Sequence, residues 1–241
     1  MIEQPVITLD CEWAPDFILE HVADVLIDKE VKSTWFVTNE SSFIDELKKN
    51  SLFELGLHPN FYPNSTQGQE SDSVLKNLKK IVPHSKSIRT HRLFQSSPLL
   101  AKFQEYGIEN DVSIFLPYTK NITPHYSKYL NLFRFPFFWE DDAEMVENSS
   151  WSTKDIRLNV SGLKIYNFHP ILIYLNSDDM KSFYQLKESV SMLKVTKQNI
   201  QKYINVNRPG VSTFFEEIIS SLSGKESYTI NDLRKVYQEI F

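Results

Sequence analysis

A short apolar run at residues 5–9 ends in Asp10, Cys11, Glu12 and Trp13, with Pro15 close behind. An uninterrupted apolar stretch of that length reads as a buried strand. If strand geometry continues through Cys11, the period of two aims Asp10 and Glu12 at the same point and turns Cys11 away, packed and inert. Two carboxylates held together repel one another unless a cation, a proton or an arginine stands between them. Whatever fold the chain adopts must therefore deliver such a partner to the end of its first strand.

The rest of the chain alternates strand-like and helix-like segments for about two thirds of its length. Strands are expected at 32–38, 53–59, 87–92, 108–116, 132–139 and 162–170; the run at 132–139 should be bulged or broken by Pro136. Helices are expected at 16–29, 43–49, 74–81 and 97–106, the last stopped by Gly107. This alternation favours an α/β fold. The last third is mainly helical: 179–194, 211–222 stopped by Gly224, and a final helix whose start at Thr229, Ile230, Asn231 and Asp232 resembles a capping box with Asp replacing Glu. With 241 residues, 41% hydrophobic and 13% aromatic, the chain can bury one large core. The expected division is a barrel over 1–176 and a helical C-terminal segment over 177–241 packed on it, in the same domain.

A formal net charge of -5 with scattered lysines argues against a nucleic-acid partner. No stretch is apolar and long enough for a membrane span, the N-terminus lacks a signal pattern, and the single cysteine forms no internal disulfide; a cytoplasmic location is expected.

Four expected strands end in chemically useful side chains: Asp10 and Glu12, His58, Arg89 and His91, and His169. In parallel α/β barrels such strand ends converge on one face. A carboxylate and two imidazoles from separate strands make an open zinc site. A divalent metal there would relieve the carboxylate repulsion and polarise a carbonyl, while the second carboxylate takes a proton from water and His169 supplies one to a leaving amine. Taken alone, Asp10 and Glu12 also read as a helix cap and its solvated neighbour.

Thr8, Leu9, Asp10, Cys11 and Glu12, followed by Gly56, Leu57, His58 and Pro59, then Arg89, then the aromatic run 133–139 with Glu140 and Asp141, then Phe168, His169 and Pro170, form an ordered series. It resembles the five motifs of the polysaccharide deacetylase family, the NodB-homology domain of carbohydrate esterase family 4, over most of residues 5–176. The branch it looks most like is that of bacterial surface-polysaccharide biosynthesis. The resemblance implies a distorted (β/α) barrel of about seven strands with a helical C-terminal extension. It implies Asp10 as the base, oriented by Arg89, His169 as the general acid, and Glu12 and His58 as metal ligands. Tyr62 stands where the family carries its second histidine, and His91 is nominated as the replacement ligand. Trp13, Phe138, Trp139 and Glu140 are expected to line the substrate groove. The implied activity is metal-dependent removal of an N-acetyl group from a sugar or glycan intermediate, with zinc as the expected ion and cobalt or manganese as alternatives. The partner implied is a carbohydrate substrate. A catalytically silent barrel that binds a glycan or a protein, or an amide hydrolase with a non-sugar substrate, are the alternatives.

Overall fold

The computed structural model describes residues 2–147 and 150–240. Among the described residues, nine strands form one curled sheet: β1 (Pro5–Asp10), β2 (Ser33–Val37), β3 (Phe53–Leu57), β4 (Ser87–Ile88), β5 (Asn110–Asp111), β6 (His125–Ser127), β7 (Leu132–Arg134), β8 (Trp139–Glu140) and β9 (Lys164–Phe168). Their order is β6-β7-β5-β4-β3-β2-β1-β9-β8, and every pair is parallel except β6 with β7. The seam beyond β5 is joined by backbone bonds: Phe137 N–H donates to Ile114 at 2.8 Å, and Phe138 N–H to Ile165 on β9 at 2.8 Å. The result is an α/β fold, as the alternation of segments favours, curled into the distorted barrel that the motif resemblance implies, with two strands more than the seven expected because the broken run around Pro136 yields both β7 and β8 and the irregular segment before it contributes β6.

Nine helices cover or follow the strands among the described residues: α1 (Asp16–Asp28), α2 (Ser42–Leu47), α3 (Ser71–Ile81), α4 (Ser97–Glu105), α5 (Asp141–Glu144), α6 (Pro170–Leu175), α7 (Lys181–Ser189), α8 (Val211–Leu222) and α9 (Ile230–Gln238). None is long and apolar enough to cross a membrane. The α8 face repeats Val211, Phe214, Phe215, Ile218, Ile219 and Leu222 at helical spacing, and all six are buried. Phe214 meets Trp139 of β8 with ring centroids 4.6 Å apart, and Phe215 meets Phe168 of β9 at 5.1 Å. The C-terminal helices therefore press on the strands that lead into Glu140 and His169.

Two expected elements are shorter than their patterns suggest. The strand expected at 87–92 stops at Ile88, and His91–Leu93 forms a tight 3-10 turn in which Arg92 and Leu93 both take positive φ. The turn is tied to the end of β3, since His91 N–H donates to the Pro59 carbonyl at 2.9 Å. The helix expected at 179–194 ends at Ser189, and Met192–Lys194 is a separate turn, because Val190 is extended.

One glycine is required by packing rather than by a turn. Gly56 pairs with Phe36 across β3 and β2, and a Cβ at position 56 would sit 2.5 Å from the Phe36 ring. Its absence lets Phe36 lie under the Arg89 guanidinium, 4.6 Å from the ring centroid, with Phe137 on the other side at 4.7 Å.

The last helix docks through a buried carboxylate. Thr229 caps α9, its hydroxyl accepting from Asp232 N–H at 3.1 Å while Asp232 accepts from Thr229 N–H at 3.3 Å, the reciprocal pair expected from the sequence. Ile230 N–H donates to Thr34 Oγ1 at 3.0 Å and Asn231 N–H to Glu54 Oε2 at 2.8 Å, with the Thr34 and Ser87 hydroxyls donating to the same carboxyl group. Removing Glu54 strands these buried donors. Glu54→Ala is expected to lower unfolding free energy by about 2–4 kcal/mol in urea titrations; a loss below about 0.5 kcal/mol would show that water replaces the carboxylate.

Candidate metal centre and catalytic cavity

The C-terminal ends of β1, β3, β4, β8 and β9 open on a cavity of about 340 Å³ whose lining includes Asp10, Glu12, His58, Arg89, His91, Glu140 and His169. Asp10 is the last residue of β1, and the ladder runs one residue further, Cys11 N–H donating to the Phe36 carbonyl at 3.0 Å. The chain turns after that, with Trp13 at φ 66°, and Asp10 and Glu12 both line the cavity. Cys11 is buried, and burial together with the Asp10 and Glu12 charges pushes its thiol well above the ordinary range.

Asp10 is held by two donors in a buried network. Arg89 Nη1 donates to its Oδ1 at 3.1 Å, and Asn167 Nδ2 to its Oδ2 at 2.9 Å. Arg89 also donates to Asn167 Oδ1, to Thr8 Oγ1 at 3.0 Å and to the Val112 carbonyl at 3.2 Å, so the guanidinium is locked. Burial alone would push Asp10 up, but His58, Arg89 and His169 outweigh it and hold its carboxyl below its usual range.

Glu12 faces the imidazoles. Its Oε2 lies 2.8 Å from His91 Nδ1 and 3.5 Å from His58 Nε2, and its Oε1 lies 3.6 Å from His169 Nε2. Burial works against its charge, yet His169, His58 and His91 together keep it far below the ordinary carboxylate range. Donor atoms of Glu12, His58 and His91 all lie within 4.8 Å of one another, close enough to hold one metal ion. The fit is supported by His58 itself. Both of its ring nitrogens are buried without a hydrogen-bond partner, 3.5–3.6 Å from Glu12 and Asp10, a gap too wide for direct hydrogen bonds. Burial opposes a proton on this ring, but the Asp10 and Glu12 charges raise its pKa, the same electrostatic demand that a cation would satisfy. A second set, Asp10, Glu140 and His169, is also close-set, but Arg89 and Asn167 already occupy its Asp10 oxygens and Asn167 one oxygen of Glu140.

Tyr62 adds a contact of its own: its ring meets the His91 ring edge-on, centroids 6.4 Å apart. The residue standing in the place of a second motif histidine thus braces the histidine nominated to replace it.

On the opposite side, His169 ends β9 and precedes Pro170, which opens α6 from a position where no backbone N–H is needed. Its Nδ1 lies 2.6 Å from Asp141 Oδ1, and its backbone N–H donates to Asp141 Oδ2 at 2.7 Å. Asp142 N–H adds a further bond to Oδ1 at 2.9 Å. Burial pushes the Asp141 carboxyl above its usual range, and the His169 charge and these bonds oppose that shift. Burial disfavours charge on His169, but Asp141 overrides it and holds the imidazole well above its ordinary pKa. The ring is stacked on Trp13 at 5.2 Å and 13°, which leaves only its Nε2 edge for chemistry. Glu140, bonded through Oε1 to Asn167 Nδ2 at 2.9 Å, is pushed up to about 8 by burial and by the Asp142 charge, then by Asp10.

The structure thus gathers Asp10, Glu12, Trp13, His58, Arg89, His91, Glu140 and His169 around one cavity. Phe138 and Trp139 are not on its wall; both are buried in the core, and Trp13, Phe183 and Tyr184 supply the aromatic surface instead. Asn167, Thr8 and Asp141 are functional neighbours to which the sequence assigned no role, although Thr8 and Asp141 lie within the motif series. Period two was the available signal for two of them, since Thr8 and Asn167 lie two residues before Asp10 and His169 on the same strand faces. Nothing in the sequence marks α7 as the provider of Phe183 and Tyr184.

A family model described as WbmS-like polysaccharide deacetylase matches residues 7–187. A crystal structure of a protein assigned as a polysaccharide deacetylase involved in O-antigen biosynthesis, from Bordetella bronchiseptica, is 26% identical, with 90% of each chain covered and a TM-score of 0.82. A protein assigned as a polysaccharide deacetylase from Mycobacterium smegmatis shares the fold at 13% identity, with 99% of this chain and 90% of that one covered and a TM-score of 0.58. The peptidoglycan deacetylase PdaC from Bacillus subtilis does so at 12% identity, with 99% and 93% covered and a TM-score of 0.51. No curated protein matches the sequence.

In metal-free protein, NMR titration should find His169 still protonated well above pH 6.5. Asp141→Asn removes the raising charge and leaves burial, so the His169 pKa should fall by at least one unit; an unmoved value would show that Asp141 does not hold the proton.

Proposed function

The chain belongs to the WbmS-like polysaccharide deacetylase family, and on that premise we propose that it is a metal-dependent N-deacetylase acting on a sugar or glycan intermediate of surface-polysaccharide biosynthesis. The observation that carries this reading is the orphaned His58, buried between two carboxylates with both ring nitrogens unbonded. Glu12, His58 and His91 would hold the ion, with zinc the best match to a donor set of one carboxylate and two imidazoles. When bound there, a divalent cation supplies Lewis-acid polarisation of the amide carbonyl and acidifies water.

The protein's own groups divide the proton transfers. Asp10, ionised and held by Arg89 and Asn167, accepts a proton from the water that attacks the acetyl carbonyl carbon. Arg89 and Asn167 act as positioning residues, since their bonds leave Asp10 one orientation. His169 carries its proton on the Nε2 edge and gives it to the amide nitrogen as the carbon–nitrogen bond breaks. Acetate and an amino sugar are released, and proton exchange with solvent returns Asp10 and His169 to their starting states. Asp141 keeps His169 charged and in a single orientation until that transfer. Trp13, stacked on His169, shields the acid from bulk water. Location in the cytoplasm and a place in polysaccharide assembly are part of this proposal, the latter supported by the family and by the O-antigen protein's likeness.

With zinc-loaded protein and a panel of N-acetylated sugars, acetate release should be measurable in the wild type. Asp10→Asn should reduce it by about 10²–10⁴-fold while elemental analysis shows the metal retained. A metal-loaded Asp10→Asn protein as active as wild type would remove Asp10 from the role of base.

A further inference from the structure

Five of the six arginines are spent on carboxylates: Arg89 on Asp10, Arg134 on Asp111, Arg157 on Glu144 and Asp155, Arg208 on Asp178 and Arg234 on Glu109. Arg92 is the exception. It lines the catalytic cavity, is exposed, and pairs with no carboxylate among the described residues; its guanidinium carbon lies 5.7 Å from the Tyr62 ring centroid.

The backbone places it there against its own preference. Arg92 has φ 51° and ψ 30°, and Leu93 follows at φ 54°, two successive side-chain-bearing residues in the left-handed region. Such strain persists only where surrounding bonds impose it. Here His91 N–H is tied to the Pro59 carbonyl and Leu93 N–H to the Thr90 carbonyl, each at 2.9 Å. Those bonds set His91 beside Glu12 and, in the same turn, carry Arg92 to the cavity.

The cavity is consequently polarised. Arg92 stands on the side of β4, while Glu140 and Asp142 stand on the side of β8, with β1 and its two acids between them in the sheet. A guanidinium offers a planar fork of donors that matches a carboxylate or a phosphate, and a hydrated, unpaired one gains most from an anionic ligand.

We propose that Arg92 is a specificity-determining residue that binds an anionic substituent, a carboxylate or a phosphate, on the sugar substrate. The inference rests on the deacetylase reading for the identity of the ligand as a sugar, and it deepens that reading by assigning the substrate's charge. A sugar whose acetamido group lies between His91 and His169 directs its anion towards β4 and its neutral hydroxyls towards Glu140 and Asp142. A uronic acid and a sugar phosphate both meet this requirement.

The test is isothermal titration calorimetry on zinc-loaded full-length protein with deacetylated probes, which cannot turn over: glucosamine, glucosaminuronic acid, glucosamine 1-phosphate and glucosamine 6-phosphate. At least one acidic probe should bind tenfold or more tightly than glucosamine. Arg92→Gln should abolish that preference, and Arg92→Lys should restore part of it. Which acidic probe is preferred identifies the source of the anion. Equal affinity for all four probes, no detectable binding of any acidic probe, or a preference that survives Arg92→Gln would overturn the proposal. Acetate release from the corresponding N-acetyl sugars is followed separately: binding preference without acetate release counts against the deacetylase reading and leaves the anion site standing.

Discussion

Two carboxylates brought together out of water are the constraint from which the rest of the site follows. Asp10 and Glu12 are 2% and 8% exposed, and at that depth neither charge survives without a nearby positive group. The protein answers them separately. Asp10 receives a fixed cation, Arg89, reinforced by Asn167; Glu12 receives three imidazoles, one of them with unbonded nitrogens. A fixed cation produces an oriented base. A set of imidazoles around a carboxylate produces a place for an exchangeable cation. In the proposed mechanism, one repulsion resolved in two ways separates the proton-transfer half of the site from the metal half.

Support for that arrangement reaches far into the fold. The Arg89 guanidinium lies over the rings of Phe36 and Phe137, and Phe36 has room only because residue 56 is glycine. Glu54, two residues earlier on β3, faces the other end of the sheet and anchors α9. A single strand thus links the docking of the C-terminal helix, the seat of Arg89 and, at its exit, His58. The exchange at position 62 belongs to the same logic. Tyr62 supplies no ligand, but its ring edge rests on His91, which comes from a different strand end and reaches Glu12 through a strained turn.

Much of this was legible in the sequence, and the parts that were not have physical reasons. The strand ends that carry Asp10, His58 and His169 were readable because short apolar runs stop abruptly at polar residues, with a proline directly after each of the two histidines. The turn at Trp13, with φ 66°, was not, since tryptophan carries no preference for the left-handed region. Pairing with only a few residues on either side shortened the strand expected at 87–92, and sequence patterns do not register tertiary strain at Arg92 and Leu93. The aromatic run 133–139 shows the limit of composition. Phe138 and Trp139 are rich in surface suitable for a sugar, yet the same surface packs against Tyr166, Phe168 and Phe214 in the core. The cavity wall comes instead from α7, some forty residues downstream, where an amphipathic pattern announces a helix without announcing its neighbour.

The central claim is that Glu12, His58 and His91 form the metal seat and that Asp10 stays outside it. Anomalous diffraction at the zinc edge from crystals grown with zinc tests it directly. The account predicts one strong peak per chain, bounded by Glu12, His58 and His91, with Asp10 still bonded to Arg89 and Asn167. A peak among Asp10, Glu140 and His169, or no bound zinc at all, would contradict it.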